Sequence, residues 1–158
     1  MSYLYANITA VPSYSKISIP SSATLAVSNH YDDDATKYSV DKLKDKTSGE
    51  YWCSKENEAN AVITITFQSP VVASGFRMKP GYPSNPDDFF DGYTLSIDGV
   101  EVKAEESITA PTSEDWREFP FDTTEGTEYQ LKMNNKADST YFCVQQMEIR
   151  GNPPQGGL

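Results

Sequence analysis

Residues 62–67 read VITITF and place a large apolar side chain at every second position. Ile63, Ile65 and Phe67 therefore share one face of an extended chain, because successive side chains of a strand point to opposite sides. The residues between them share the other face, which is more polar. This pattern predicts a β-strand with one face on an apolar core.

The same two-residue period recurs along most of the chain. Phe76 and Met78 alternate with Arg77 and Lys79 shortly after the first stretch. Further alternating faces are formed by Tyr129, Leu131 and Met133, and by Met147 and Ile149. No window sustains the i, i+3, i+4, i+7 spacing of an amphipathic helix over several turns. The chain is therefore predicted to be all-β, with a jelly-roll β-sandwich of two antiparallel sheets as its architecture.

Two local signals refine this strand pattern. Asp98 and Gly99 separate residues 93–97 from residues 100–102. Both residues tolerate positive φ, so they predict a hairpin turn. Pro120 cannot donate to a β-ladder, and it therefore predicts an edge or irregular strand.

Turn-rich segments are predicted to project from the sandwich as loops that carry function. They are residues 30–37, 80–91 and 134–141. The tail, residues 152–158, contains the Pro and Gly of a linker. It is predicted to connect the domain to another part of a protein.

Composition argues against several classes of function. The net charge is −10, whereas nucleic acids and anionic lipid surfaces attract Lys and Arg clusters that this sequence lacks. No apolar stretch is long enough to cross a bilayer. The first residues contain no basic region followed by an apolar run, so no secretory signal is expected. The chain is then either made without Sec export, as a phage structural protein is, or cut from a longer protein. It is expected to act outside the cell or on a virion surface.

Catalytic signatures are missing from the sequence. The single histidine, His30, and two separated cysteines cannot build the usual zinc sites. No Gly-x-Ser-x-Gly elbow or phosphate-binding glycine loop occurs. Acid pairs such as Asp87 and Asp91 are the minimum that glycoside hydrolysis requires. The chain is nevertheless expected not to be an enzyme, because most acidic pairs on so acidic a chain are solvated.

Three segments carry a resemblance to a known family. They read SVD at residues 39–41, YWCS at residues 51–54 and QMEIRG at residues 146–151. With the strands between them, they resemble the discoidin or coagulation-factor-5/8 type C family, and within it the galactose-binding branch of carbohydrate-binding modules. The resemblance implies a galactose-binding-domain-like β-sandwich over residues 1–151, in which residues 1–20 are an N-terminal extension or a first strand.

The resemblance also implies a structural calcium (Ca²⁺) site. Asp41 matches the family's loop aspartate, Thr47 matches its later threonine, and Gln146 falls where the last strand often supplies a glutamate. Calcium prefers oxygen ligands of this kind. Lys42 stands where the family usually has glycine, and Gln146 supplies a neutral amide in place of a charge. The alternative is that Asp41 caps a tight turn through its own side chain.

The family's structural tryptophan matches Trp52, for which a buried ring with a hydrogen-bonded indole is expected. Cys53 and Cys143 are the only cysteines, and they form either a disulfide or two buried thiols. The missing export signal favours thiols. The resemblance instead places the first loop beside the last strand, which would bring the two cysteines together. Both alternatives stay open at this point.

Galactose-binding relatives use a histidine in the first loop, an arginine and an asparagine near the Pro-rich loop, and an aromatic residue before the last strand. His30, Asn85 and Phe142 occupy comparable places in this chain, so the resemblance implies that they contact a sugar. Gly81 stands where the arginine would be, which removes a bidentate clamp on hydroxyl groups. His30 has the alternative of being an exposed loop residue.

Residues 82–91 form a second recognition surface. Tyr82, Phe89 and Phe90 supply aromatic rings beside Asp87 and two other acids. Carboxylates beside rings suit hydroxyl-rich ligands, whereas the two phenylalanines could instead enter a partner protein or a membrane. The remaining alternative is that a phenylalanine folds under the loop as a satellite core.

The chain is therefore predicted to be a noncatalytic module that binds carbohydrate on a cell or particle surface. Its partner would be a glycan or a surface receptor, held by loop aromatics and polar groups. The alternative is a structural or attachment domain of a viral particle, or of another large assembly, whose loops contact other subunits.

Overall fold

The computed structural model describes residues 16–44, 49–56, 60–134 and 141–152. Within these ranges the chain is built mainly from antiparallel strands, which confirms the predicted all-β class. The strands are β1 (Lys16–Ser18), β2 (Thr24–Val27), β3 (Trp52–Cys53), β4 (Asn60–Pro80), β5 (Gly92–Ile97), β6 (Val100–Glu105), β7 (Arg117–Asn134) and β8 (Cys143–Asn152). Two 3-10 turns, η1 (Tyr31–Asp33) and η2 (Val40–Leu43), precede β3. No helix in the described ranges is long and apolar enough to span a bilayer.

The strands form two layers, and β4 and β7 run through both of them. The first half of β4 pairs with β2 and with the second half of β7, which also pairs with β5. The second half of β4 pairs with β8 and with the first half of β7. β6 extends the first layer beside β5, and β1 and β3 extend the second layer beside β8. The predicted sandwich is thus confirmed, but its hydrogen bonds continue from one layer into the other.

The bend in β4 explains why the sequence suggested two strands where the structure has one. The register of the β4–β7 pairing shifts between Thr66 and Val71, and again between Ala73 and Gly75. Such irregularities bend a strand without ending it. Pro120 lies opposite Gly75, on the half of β7 that has β4 on one side and, in the described ranges, no strand on the other. Its predicted position on an edge or irregular strand is confirmed.

The β5–β6 connection is the predicted hairpin. Asp98 and Gly99 have φ of 50° and 82°, the left-handed conformation that this turn requires. The Asp98 carboxylate accepts hydrogen bonds from the backbone N–H groups of Thr127 and Glu128, at 3.1 and 2.9 Å. The hairpin is therefore fastened to β7 by a side chain as well as by strand pairing.

The main core lies between the two layers. Phe76 of β4 stacks on Phe119 of β7 with ring centroids 4.7 Å apart, and its ring meets the Tyr93 ring of β5 at 5.4 Å. Trp52 is fully buried, and its indole N–H donates to the backbone carbonyl of Asn29 at 3.2 Å. The prediction for Trp52 is therefore confirmed.

Candidate functional site: a pocket lined by tyrosines

A pocket of about 180 Å³ opens where β4 ends and β8 begins. Five tyrosines and one cysteine line it: Tyr31, Tyr38, Tyr51, Cys53, Tyr82 and Tyr141. These residues come from four segments that are distant in sequence, and they include parts of all three predicted functional loops. Tyr38 is buried, whereas the other four tyrosines are half-buried and face solvent in part. We call this site the tyrosine pocket.

A disulfide forms the floor of the tyrosine pocket. Cys53 of β3 and Cys143 of β8 are directly paired in the strand register, with a Cα–Cα distance of 4.1 Å, and they are joined through their sulfur atoms. Tyr51 and Tyr141 each lie two residues before one of these cysteines. Side chains two apart share a face of an extended chain. The disulfide therefore holds both tyrosines on the same side.

The first wall comes from η1 and the turn after it. The Asp34 carboxylate accepts hydrogen bonds from the backbone N–H groups of Thr36 and Lys37, at 3.1 and 2.9 Å, and these bonds lower the pKa of Asp34. The Tyr38 N–H donates to the Asp34 carbonyl at 3.1 Å, which closes the turn. Tyr31 and Tyr38 consequently meet edge to face, with centroids 5.3 Å apart.

The opposite wall comes from the loop that follows β4. Gly81 has φ of 68°, and a Cβ atom on it would clash with the backbone of Asn85, so glycine is required where the chain turns. Tyr82 and Asn85 exchange two backbone hydrogen bonds at 2.8 and 3.3 Å. The Cys143 N–H donates to the carbonyl of Asp88 at 2.8 Å, which fixes this loop on the start of β8.

Four ring contacts join the five tyrosines around the pocket into one series. Neighbouring centroids are 5.3 Å apart for Tyr31 and Tyr38, 6.0 Å for Tyr38 and Tyr51, 5.6 Å for Tyr51 and Tyr82, and 5.0 Å for Tyr31 and Tyr141. Aromatic pairs at such distances support one another. The pocket is therefore built by mutual ring packing.

Hydrogen bonding and charge perturb the groups on the Tyr82 side. The hydrogen bond with Tyr82, together with burial, raises the pKa of Tyr141 to about 12. Burial and the neighbouring Asp87 carboxylate raise the pKa of Asp88, whereas its hydrogen bond with Tyr82 acts in the opposite direction. On the far side, the carboxylate of Asp32 raises the pKa of Tyr31.

A cation from the chain itself lies on one of the rings. The Lys37 ammonium is 5.1 Å from the centroid of the Tyr38 ring and also hydrogen-bonds with Tyr38, which raises the pKa of Lys37. Ring faces carry negative potential that attracts cations. The pocket therefore contains a ring surface on which a positive group already rests.

The structure brings some of the predicted ligand residues to this pocket and leaves others aside. Tyr82 lines it. His30 is half-buried and directly precedes Tyr31 at the start of η1. Asn85 and Asp87 belong to the Tyr82 loop but are not among the lining residues, and the Asn85 amide donates to the carbonyl of Pro83 at 3.3 Å.

The predicted roles of Phe89, Phe90 and Phe142 in ligand contact do not fit their positions. Their exposed fractions are 4%, 1% and 0%, and all three pack into the main core. A ring with no polar group gains most by full burial. The alternative in which a phenylalanine folds under the loop therefore describes both Phe89 and Phe90, and Phe142 plays the same part before β8.

Four lining residues were missed at the sequence level. They are Tyr31, Tyr38, Tyr51 and Tyr141. One signal could have found two of them, because the pattern Tyr-x-Cys occurs at both cysteines, as Tyr51-Trp52-Cys53 and Tyr141-Phe142-Cys143. If the cysteines pair, the two tyrosines must lie close together.

The described residues of the predicted calcium loop form a turn held by protein groups. The Asp41 N–H donates to the Ser39 hydroxyl at 3.3 Å, and the Asp41 carboxylate is 3.4 Å from the ammonium of Lys44. The Lys42 ammonium is 2.7 Å from the carboxylate of Glu50. The described ranges contain no group of three or more His, Cys, Asp or Glu side chains able to hold a metal. The one carboxylate among the predicted calcium ligands, Asp41, is thus paired with an ammonium group of the chain.

The other two predicted calcium ligands add little to this loop. Thr47 lies outside the described residues. Gln146 lies on β8, opposite Lys79 of β4, and η2 contacts β8. The expected meeting of the first loop and the last strand is therefore present, whereas calcium binding stays a prediction.

Comparison with known proteins identifies the fold. No protein-family model matches the sequence, and no curated protein matches it closely enough to count as a relative. Among solved structures, the family 32 carbohydrate-binding module of NanJ from C. perfringens, in complex with galactose, has a TM-score of 0.66 at 15% identity, over 85% of this chain and 98% of that one. The F5/8 type C domain of a Bacteroides fragilis protein has a TM-score of 0.73 at 14% identity, over 90% and 99% of the two chains.

A third similar structure is chitosan-binding module 2 of a chitosanase/glucanase from Paenibacillus sp. IK-5, in complex with chitotriose. Its TM-score is 0.66 at 14% identity, over 82% of this chain and 97% of that one. These likenesses confirm the predicted galactose-binding-like β-sandwich, the fold that this chain shares with carbohydrate-binding and F5/8 type C domains.

Proposed function

We propose that this chain is a noncatalytic carbohydrate-binding module and that the tyrosine pocket holds one sugar residue. The observation that carries the proposal is the series of five tyrosine rings, each in contact with the next, around a concave site of about 180 Å³. Such rings offer flat apolar surface to the C–H face of a sugar, and their hydroxyl groups offer hydrogen bonds at its edge. The pocket is smaller than the roughly 300–1,000 Å³ of sites for drug-sized ligands, which suits a single ring.

Two further observations support this proposal. The pocket lies on the loops that the resemblance singles out for sugar contact, although its aromatic groups are tyrosines in place of Phe142. Two of the similar solved structures were determined with galactose and with chitotriose bound. The pocket is also preformed, because the disulfide and the ring contacts fix its walls before any ligand arrives.

The test is calorimetric titration with a panel of neutral and amino sugars, followed by substitutions in the pocket. Tyr51→Ala and Tyr82→Ala are each expected to weaken binding about tenfold or more, because a ring contact contributes roughly 1 kcal/mol beyond burial. Trp116→Ala is the matched control, since Trp116 is a half-buried aromatic residue that packs on Arg77, away from the pocket. Absence of binding to every sugar, or an equal loss in Trp116→Ala, would contradict the proposal.

The sequence left two other functions open, and each of them would give a different experimental result. An attachment domain of a viral particle or large assembly would use the same loops against protein, and light scattering at high concentration would show self-association in place of sugar binding. A glycoside hydrolase would release sugar, and that activity would disappear in Asp87→Asn or Asp91→Asn. Sugar binding without product release, by a monomer, is the result expected for the binding module.

A further inference from the structure

We propose that Lys42, which is not among the residues that line the tyrosine pocket, is a positioning residue that sets the spacing between the rings of Tyr38 and Tyr51. This inference rests on the proposed function, since it assigns to one side chain the ring arrangement on which sugar affinity depends. The observation that carries it is that the Lys42 ammonium contacts the residue directly before each of these two tyrosines.

The Lys42 ammonium joins two segments that are separated in the chain. It donates to the backbone carbonyl of Lys37 at 2.5 Å, and it lies 2.7 Å from the carboxylate of Glu50. Lys37 directly precedes Tyr38, and Glu50 directly precedes Tyr51. One ammonium group therefore connects the wall that carries Tyr38 to the segment that carries Tyr51.

The backbone of Lys42 is itself anchored in the main core. Lys42 belongs to η2, whose Val40 and Leu43 side chains are buried in that core. The Lys42 N–H also donates to the carbonyl of Ser39 at 3.1 Å, at the start of the turn. Because η2 is anchored in this way, the Lys42 ammonium can hold both segments at a fixed distance from the core.

The connection lies where the series of pocket rings is most open. The ring centroids of Tyr38 and Tyr51 are 6.0 Å apart, whereas the other three neighbouring pairs have centroids 5.0, 5.3 and 5.6 Å apart. Dispersion attraction falls steeply with distance, so this pair of rings holds itself together least well. Contacts outside the rings must therefore contribute more to its spacing.

The strength of the connection depends on charge. The exposed side-chain fractions of Lys42 and Glu50 are 26% and 39%, so solvent screens the pair in part. If ring spacing limits affinity, a pair of this kind can change the affinity by up to about fivefold. Added salt weakens a partly exposed pair. Binding of a neutral sugar, which has no charge of its own, should therefore become weaker as salt is added.

Lys44, which directly follows η2, offers a matched control. Its ammonium donates to the carbonyl of Ala23 at 3.2 Å and lies 3.4 Å from the carboxylate of Asp41. Neither partner is adjacent in sequence to a pocket tyrosine. Its exposed side-chain fraction is 23%, close to that of Lys42. Lys44→Met therefore removes the same charge and the same kinds of contact without affecting the two rings.

The test measures the binding of two neutral probes, galactose and triacetylchitotriose, by calorimetry. Lys42→Met is expected to weaken binding about fivefold, whereas Lys44→Met should change it less than about twofold. Lys42→Arg keeps the charge and the donor groups, so it should retain most of the affinity. Urea unfolding of all three variants shows whether a loss of affinity reflects a loss of folded protein.

Two further measurements would not respond to a general loss of stability. Raising the NaCl concentration from about 20 to about 500 mM should weaken binding by the wild-type protein about twofold and leave binding by Lys42→Met unchanged. Glu50→Gln should weaken binding in the wild-type background but not in Lys42→Met, because the ion pair is already absent there.

The spacing of the rings can also be measured without any sugar. A nuclear Overhauser effect between the ring protons of Tyr38 and Tyr51 is expected in the wild-type protein and in Lys44→Met. It should weaken or disappear in Lys42→Met, because the two segments are no longer joined. An unchanged effect in Lys42→Met would overturn the positioning role.

The outcomes separate this inference from the proposed function. If no sugar binds to the wild-type protein, the proposed function fails, and the ring measurement alone decides whether Lys42 positions the rings. If a probe binds and Tyr51→Ala weakens its binding but Lys42→Met does not, the function stands and the role of Lys42 is overturned. Equal losses of affinity in Lys42→Met and Lys44→Met would overturn that role as well.

Discussion

The molecule contains two clusters of aromatic residues that differ in chemistry and in exposure. The main core holds Trp52 and all seven phenylalanines between the two layers, and their rings are almost completely buried. The tyrosine pocket holds five tyrosines around a disulfide, and four of them face solvent in part. Tyr141 and Phe142 are adjacent in sequence, yet one lines the pocket and the other is fully buried in the core.

The comparison shows that, in the loops around the pocket, tyrosine lines the pocket whereas phenylalanine is buried in the core. A buried tyrosine hydroxyl needs a partner, because an unpaired buried polar group costs about 1–3 kcal/mol. In the core, the Tyr129 hydroxyl donates to the carbonyl of Val71 at 2.9 Å. In the pocket, four of the five tyrosines are only partly buried, so their hydroxyl groups do not require a partner within the protein. Loops that mix the two ring types can therefore bury phenylalanine for support and display tyrosine for contact.

The largest expected effect comes from removing the disulfide under the pocket. Cys53 and Cys143 are 90 residues apart, so the bond closes a long loop. The double variant Cys53→Ser with Cys143→Ser is expected to lower the free energy of unfolding by about 4–5 kcal/mol in the chain-entropy model. Urea unfolding measures this change, and wild-type protein under reducing conditions is the control. Sugar affinity should fall as well, because Tyr51 and Tyr141 lose their common anchor. A loss below about 1 kcal/mol would contradict the assigned structural role.

Removing the ring of a buried loop phenylalanine tests how much the main core contributes to stability. Phe142→Ala is expected to lower the free energy of unfolding by about 3–5 kcal/mol, because it removes a fully buried ring that meets Trp52 at 5.8 Å. The matched variant Tyr141→Ala should cost far less stability but weaken sugar binding. Equal stability losses in the two variants, measured by urea unfolding, would remove the distinction between the clusters.

Removal of the Tyr93 hydroxyl is expected to change the free energy of unfolding by a smaller amount and to raise it. Its hydroxyl is buried in the core and has no hydrogen-bond partner among the described residues, and burial raises its pKa to about 12. Tyr93→Phe is therefore expected to raise the free energy of unfolding by about 1 kcal/mol at neutral pH.

The pH dependence of Tyr93 can be checked in the same variant. The folded-state pKa is above the ordinary value of 10.0, so Tyr93 ionises more easily in the unfolded chain. The wild-type protein therefore keeps its stability below about pH 10 and loses part of it as the pH rises toward about 12. Phenylalanine does not titrate. The advantage of Tyr93→Phe should therefore grow with pH above about 10, as measured by urea unfolding across that range. A constant difference would show that Tyr93 ionises equally easily in both states.

Addition of calcium is expected to change the stability of the protein least. The Asp41 carboxylate is already paired with the Lys44 ammonium, so a cation must displace that group to bind there. We expect addition of calcium after chelation to shift the melting temperature by no more than about 2 °C, less than the shift that 1 kcal/mol gives in a domain of this size. Asp41→Ala is the control. A large shift that Asp41→Ala abolishes would establish the predicted calcium site.

Much of the fold could be predicted because its signals are local. The alternation in residues 62–67 shows which face of β4 meets the core, and Asp98-Gly99 specifies its turn through backbone geometry alone. The continuity of β4 through residues 68–70 could not be predicted in this way. The register shift there is set by pairing with β7, which is distant in sequence.

The site was harder to predict, because adjacent aromatic residues do not show which of them faces outward. The resemblance implied that Phe142 contacts a sugar, but the ring that reaches the pocket belongs to Tyr141. The sequence also did not show whether Cys53 and Cys143, which lie under the pocket, form a disulfide or remain two buried thiols. Once Cys53 and Cys143 are joined, the positions of Tyr51 and Tyr141 follow.

The passage of β4 and β7 through both layers has a consequence for how the domain comes apart. Neither layer can unfold while the other keeps its strand pairing, because β4 and β7 each supply hydrogen bonds to both layers. Melting should therefore be cooperative, with the calorimetric enthalpy equal to the van't Hoff enthalpy. The end of the domain that contains the tyrosine pocket is expected to unfold together with the rest of the sandwich, with no populated half-folded species.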